Sequence, residues 1–244
     1  MNRVFVSVIA LTAVAGVAQA TLFSYGSFSG ANVQFNNVFE ETGAELNPLF
    51  GAPTVSGDSL SFSPTSFAAT SNGGGSSIVD SQIGTRIVAN AGRAIPAITL
   101  SESGDYSLIG SGTSLTSVFA SAAVFIRIEE VNGAAVTPIT FSGNLVMAPS
   151  SSFNLASPGP GIAQIWSGSG FFDLDAMVVG AGLSGSATKV YMTLDNTLAA
   201  TSQSGTVAFI KKKTFGGTAL TVVPTPGSAA LLGLGLIAAG RRRR

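Results

Sequence analysis

Val118-Phe119-Ala120-Ser121-Ala122-Ala123-Val124-Phe125-Ile126-Arg127-Ile128 is the stretch that decides the fold. Successive side chains of an extended chain point to opposite faces, so Val118, Ala120, Ala122, Val124, Ile126 and Ile128 share one side. Arg127 and Glu129 mark the solvent side near the end of the run, and Val131-Asn132-Gly133 closes it with a turn. Shorter runs of the same kind lie on both sides. Val33 and Phe35 begin one near Asn32–Phe39, Leu60 and Phe62 alternate with Ser59, Ser61 and Ser63, and Tyr106 and Leu108 follow the turn residues Gly104-Asp105. Later runs cover Ile139–Met147, Ile162–Trp166, Gly170–Val179, Lys189–Leu194 and Thr206–Lys213, with Gly, Pro and Asn clusters between them.

No long stretch between Thr21 and Ala219 carries apolar residues at helical spacing. Ser, Thr and Gly make up a third of the chain, and all three are poor helix-interior residues. The expected fold is all-β: a single antiparallel β-sandwich or jelly-roll-like domain over residues 21–220. Phe23, Tyr25 and Phe28 would tie its N-terminus into the sheet as a first strand. Asn72–Ser77 reads as a flexible surface loop within that one domain.

Charge and composition exclude several function classes. The 244 residues hold 12 Lys+Arg, 12 Asp+Glu, no His and no Cys. Arg3 and Arg241–Arg244 lie at the extremities, which leaves Thr21–Val223 with seven positive and twelve negative side chains, a net charge of −5. A mildly acidic body lacks the basic footprint that nucleic acid demands. Without His or Cys there is no thiol nucleophile, no Ser-His-Asp triad, no imidazole or thiolate zinc site and no disulfide.

The two ends read as addresses. Residues 1–20 have the form of a secretory signal peptide: Arg3 is the positive n-region, Val4–Val17 an apolar or small-residue run, and Ala18-Gln19-Ala20 an A-x-A cleavage site. Residues 221–244 form the other. Val222-Val223-Pro224-Thr225-Pro226-Gly227 leads into the apolar segment Ser228–Gly240 and then into Arg241, Arg242, Arg243 and Arg244. Pro224 and Pro226 cannot continue a strand ladder, the segment after them is a short hydrophobic helix without charge, and the arginines hold the tip inside. Thirteen residues rise only ~20 Å against a hydrocarbon core of ~30 Å, which suits a temporary stop better than a permanent anchor.

This arrangement resembles the PEP-CTERM sorting signal: a Pro-x-Pro motif, an apolar helix and an Arg-rich end on an exported protein. The resemblance covers Val223–Arg244, with Thr225 where the namesake motif has Glu. It implies Val223, Pro224, Thr225, Pro226 and Gly227 as the sorting motif and Arg241–Arg244 as the topological stop. It also implies an exosortase-type membrane processing enzyme as partner, transient residence in the inner membrane, and delivery to the envelope, surface or extracellular polysaccharide of a Gram-negative-type bacterium. Gly51–Phe62 and Leu194–Leu198 are similar to segments of such proteins of unassigned activity.

Chemistry within the body is sparse. Gly180-Ala181-Gly182-Leu183-Ser184-Gly185 matches G-x-G-x-x-G, but Ser186-Ala187-Thr188 leads into another strand-like run and no acid follows at the required distance, so it reads as a Gly-rich turn. Asp173 and Asp175 would share a strand face and, with Asp195, make a weak calcium candidate. Glu129 and Glu130 are adjacent and would face opposite sides of a strand, which spoils them as a glycosidase pair. Trp166 with Tyr191 or Tyr106 could stack on sugar rings if exposed, whereas a lone Trp in a β-domain is more often core. Lys211–Lys213 reads as a charged edge strand. The expectation is a cofactor-free, non-enzymatic surface or matrix component, with a carbohydrate-binding module as the alternative and a carboxylate-based hydrolase as a second one.

Overall fold

The computed structural model describes residues 20–43, 45–213 and 217–223. The expected signal peptide, apart from Ala20, and the expected sorting segment from Pro224 onward lie outside them. Within them the chain is an all-β sandwich. β1 (Thr21–Ser29) and β2 (Val33–Thr42) pair first, followed by three short strands, β3 (Thr54–Ser56), β4 (Ser59–Phe62) and β5 (Ala68–Asn72). Three long strands come next: β6 (Gly75–Ala89), β7 (Ala97–Ile109) and β8 (Ser117–Val131). Then come β9 (Ala134–Asn144), β10 (Val146–Ala148), β11 (Ser152–Asn154) and β12 (Gly161–Asp173). A helix of about two turns, α1 (Leu174–Gly180), precedes β13 (Ala187–Ser202), β14 (Val207–Lys212) and β15 (Thr218–Val223).

The first sheet has the order β1-β2-β6-β13-β8-β11, with β9 also paired to β8. The second runs β10-β12-β7-β15-β4-β3, and β14 sits between β7 and β5. All pairings between these strands are antiparallel, the arrangement that lets one face of each sheet meet solvent while the other is covered. β14 and β15 lie end to end along the same side of β7: Val207–Lys212 face Ile109–Gly104, and Thr218–Val223 face Glu102–Ala97. The ladder is carried across the gap by Lys213 N–H to Ser103 C=O and Ser103 N–H to Gly217 C=O.

The alternation in Val118–Ile128 places its apolar face inside. Val118, Ala120, Ala122, Val124, Ile126 and Ile128 are all buried. They face Leu100, Leu108, Ala208 and Ile210 of the second sheet in one continuous core. The turn after β8 has Asn132 at φ 51° and Gly133 at φ 78°, the left-handed pair that a two-residue hairpin requires.

Four expectations change. Gly170–Val179 is not one strand: β12 ends at Asp173, whose carboxylate accepts from Ala176 N–H at 2.8 Å and starts α1. Asn72–Ser77 is a tight turn by which the chain crosses from β5 of the second sheet to β6 of the first, with Gly73, Gly74 and Gly75 all at positive φ. Lys211–Lys213 do not sit on an edge, because β14 is paired on both sides. β15 runs past residue 220 to Val223, with Val222 buried, so the first three residues assigned to the tail belong to the body.

Candidate functional site

The residues singled out for ligand contact are placed by the same two-residue period that makes the core. Trp166 is 1% exposed and Tyr106 is 3% exposed, both on inward positions of their strands. Tyr106 stacks on Phe153 with ring centroids 4.1 Å apart, and burial pushes its hydroxyl up. Neither ring offers a face to a sugar. Tyr191 is on the outer face of the first sheet, but the guanidinium groups of its cross-strand partners Arg86 and Arg127 stand over its ring at 5.8 and 5.1 Å.

The calcium candidates separate. Asp173 is the cap of α1, Asp175 lies in its first turn, and Asp195 stands on the outer face of β13. No group of three acidic residues suited to a metal ion occurs among the described residues. Partial burial, and then the nearby Asp80, push the Asp195 carboxyl up.

Glu129 and Glu130 straddle a bulge where β8 shifts register against both β13 and β9, which turns both side chains toward solvent. Glu129 takes Arg86 at 2.8 Å and Arg127 at 2.5 Å, while Glu130 takes Lys189 at 3.0 Å. The Arg86 hydrogen bond, then Arg127, hold the Glu129 carboxyl below its usual range. Gly180–Gly185 is the turn joining α1 to β13, with Gly182 and Gly185 at positive φ, so the helix precedes the glycines and none follows them.

Two buried carboxylates were not singled out from sequence. Glu40, fully buried on β2, accepts from Leu49 N–H at 2.6 Å, Phe50 N–H at 3.0 Å and Ser81 Oγ at 3.0 Å on one oxygen. Its other oxygen accepts from Tyr25 Oη at 2.6 Å and Gly51 N–H at 3.2 Å. This cage fixes the segment before β3 to the first sheet. Burial and Glu40 push the Tyr25 hydroxyl far up.

The second is chemically richer. Lys212, the last residue of β14, occupies an inward position in line with Ala208 and Ile210. Its ammonium donates to Glu102 Oε2 at 2.5 Å and to Asn196 Oδ1 at 2.8 Å. Lys212, Glu102 and Asn196 are 2%, 3% and 0% exposed. The rings of Phe67, Trp166 and Phe50 stand 5.4, 5.4 and 5.6 Å from the ammonium. Burial pushes the Lys212 ammonium down, with Glu102 opposing. Glu102 and Lys212 come from the second sheet and Asn196 from the first, so the cluster spans the sandwich. Parity alone could have marked it: Glu102 shares a face with Leu100 and Tyr106, Asn196 with Leu194 and Leu198, Lys212 with Ile210.

No family model matches the chain, and no curated protein matches it. Solved structures overlap it only loosely. Endoglucanase 3 of Trichoderma harzianum, from family GH12, is 11% identical with a TM-score of 0.25, covering 85% of this chain and 97% of its own. TmCBM61 in complex with β-1,4-galactotriose is 8% identical with a TM-score of 0.19, covering 85% and 90%. The enzymatically active domain of bacteriophage CBA120 tailspike protein 4 is 12% identical with a TM-score of 0.20, and this chain covers only 20% of its length. Likeness of that order carries nothing about activity.

Proposed function

We propose that the chain is an exported, non-enzymatic component of the bacterial surface or extracellular matrix, sorted by its C-terminal segment. The observation that carries this reading is the junction at Val223. β15 is hydrogen-bonded into the second sheet up to that residue, which pairs with Ala97, and Pro224-Thr225-Pro226 follows at once. The described sandwich ends with β15 at Val223, and the following residues are read as signal: Pro224-Thr225-Pro226 for an exosortase-type enzyme, Ser228–Gly240 for the inner membrane, Arg241–Arg244 as stop. No described helix is long and apolar enough to cross a membrane.

The engagement of the carboxylates supports a role without catalysis. Glu40 is caged by donors, Glu129 and Glu130 are ion-paired, Asp58 holds Asn32 at 2.6 Å and Asp173 caps a helix. In the full chain expressed in an exporting Gram-negative host, P224A/P226A is expected to accumulate in the inner membrane while the unaltered chain moves outward. An unchanged distribution would overturn the sorting role.

A second reading, contact with extracellular polysaccharide, rests on the outer face of the first sheet. Gln82, Phe125, Ser142, Asn144 and Asp195 line a shallow groove there, the mixture of amide, hydroxyl, carboxylate and aromatic groups that sugar hydroxyls and rings accept. A glycan array probed with the full chain and with D195A tests it: binding lost in D195A supports the groove, and no binding by either removes it.

A further inference from the structure

We propose that Lys212 and Asn196 are joined by a side-chain isopeptide bond that the protein forms on itself, with Glu102 as the proton carrier. One cluster brings together an amine, a carboxamide and a carboxylate, with Asn196 Nδ2 donating to Leu194 C=O at 3.4 Å. Lys212 Nζ donates to Asn196 Oδ1 at 2.8 Å and to Glu102 Oε2 at 2.5 Å. All three side chains are buried, and Phe50, Phe67 and Trp166 wall the ammonium from water. The other carboxylate oxygen, Glu102 Oε1, is buried without a hydrogen-bond partner among the described residues.

An ion pair in such surroundings gives up most of its hydration, and neutralising it by proton transfer relieves that cost. Burial pushing the Lys212 ammonium down acts in the same direction, toward the neutral amine that is the nucleophile. A carboxamide is a sluggish electrophile in water. Here amine and carbonyl are held together by two sheets of a packed sandwich, the circumstance in which effective concentration compensates for low reactivity.

The step balances without any further reagent. Lys212 gives a proton to Glu102, and the freed lone pair forms a bond to Asn196 Cγ while the carbonyl π pair moves onto Oδ1. Collapse of that oxyanion breaks the bond from Cγ to Nδ2, which leaves as ammonia after taking the proton held by Glu102. The second proton of the attacking nitrogen then passes to Glu102. A secondary amide, ammonia and protonated Glu102 result, with nothing oxidised or reduced.

The product ties β13 of the first sheet to β14 of the second in a chain with no cysteine. It replaces the buried charged pair by a neutral amide, and it is independent of the sorting role of the tail.

Digestion of the purified full chain with trypsin and mass spectrometry of the fragments tests the bond. The expected product is a branched species in which Val190–Lys211 is joined through Asn196 to the fragment bearing Lys212, lighter by one ammonia than its two parts. E102Q is expected to release Val190–Lys211 as a linear peptide of full mass. A linear, full-mass Val190–Lys211 from the unaltered chain overturns the bond. Ammonia loss confined to that linear peptide marks succinimide closure at Asn196 and overturns it equally. A branched product from E102Q would overturn the role given to Glu102.

Discussion

The indole of Trp166 fills the space where its cross-strand partner Gly104 has no side chain. A Cβ built on Gly104 would lie 2.3 Å from the Trp166 ring and 2.2 Å from the carbonyl oxygen of Lys211. Since one of these obstacles is backbone, the contact cannot be relieved by a rotamer change. Gly104→Ala is therefore expected to cost about 3 kcal/mol, the upper part of the overpacking range. A urea melt followed by the fluorescence of the one Trp measures it, with red-shifted emission as the sign that the indole has been displaced. A midpoint within error of the unaltered chain would contradict this packing.

Glu40 offers a second test. Replacing it by Leu leaves the N–H groups of Leu49 and Phe50 without their acceptor in a buried site, while the Ser81 hydroxyl keeps Glu41 C=O at 3.3 Å. The expected loss is about 3 kcal/mol or more, since each orphaned buried donor costs ~1–3 kcal/mol. Limited proteolysis should cut E40L within residues 45–53 before any other site. Resistance there equal to that of the unaltered chain would show that the cage does not hold the loop.

The Glu129 cluster gives a pH dependence with a definite sign. Its carboxyl is held below the ordinary 4.5 by Arg86 and Arg127, so the folded state binds its proton less readily than the unfolded chain. The stabilisation is complete above about pH 4.5 and is lost as pH falls through the depressed folded-state value. Because both arginines are about a third exposed, solvent screening limits it to about 1 kcal/mol. E129Q should therefore lower the urea midpoint slightly at pH 7 and leave it unchanged at pH 2. An equal deficit at both pH values would mean that packing, not charge, is lost.

The sandwich was legible where inward positions are apolar without interruption. Val118–Ile128 is the clearest case, and its six inward residues are all buried. β6 was not named because its inward face mixes Ser81 and Thr85 with Ile83 and Ile87, which blurs the period-two signal. α1 escaped notice because it spans only seven residues and is started by one cap, with β-branched Val178 and Val179 imitating a strand.

Of the candidate site residues, Trp166 followed the commoner core alternative, Tyr106 is buried as well, and Asp173 and Asp175 were taken up by a helix start that spacing does not reveal. Lys212 was harder. Local charge argued for solvent, while the partner that lets it stay inside, Glu102, is 110 residues away. Only the pairing of β14 with β7 brings the two together.

The most direct test of the sorting account is the C-terminus of the protein recovered from the surface or matrix of its native host, read by mass spectrometry. A mature chain ending near Pro226, without Leu231–Arg244, is the predicted result. Surface-located protein that still carries Arg241–Arg244 would contradict it.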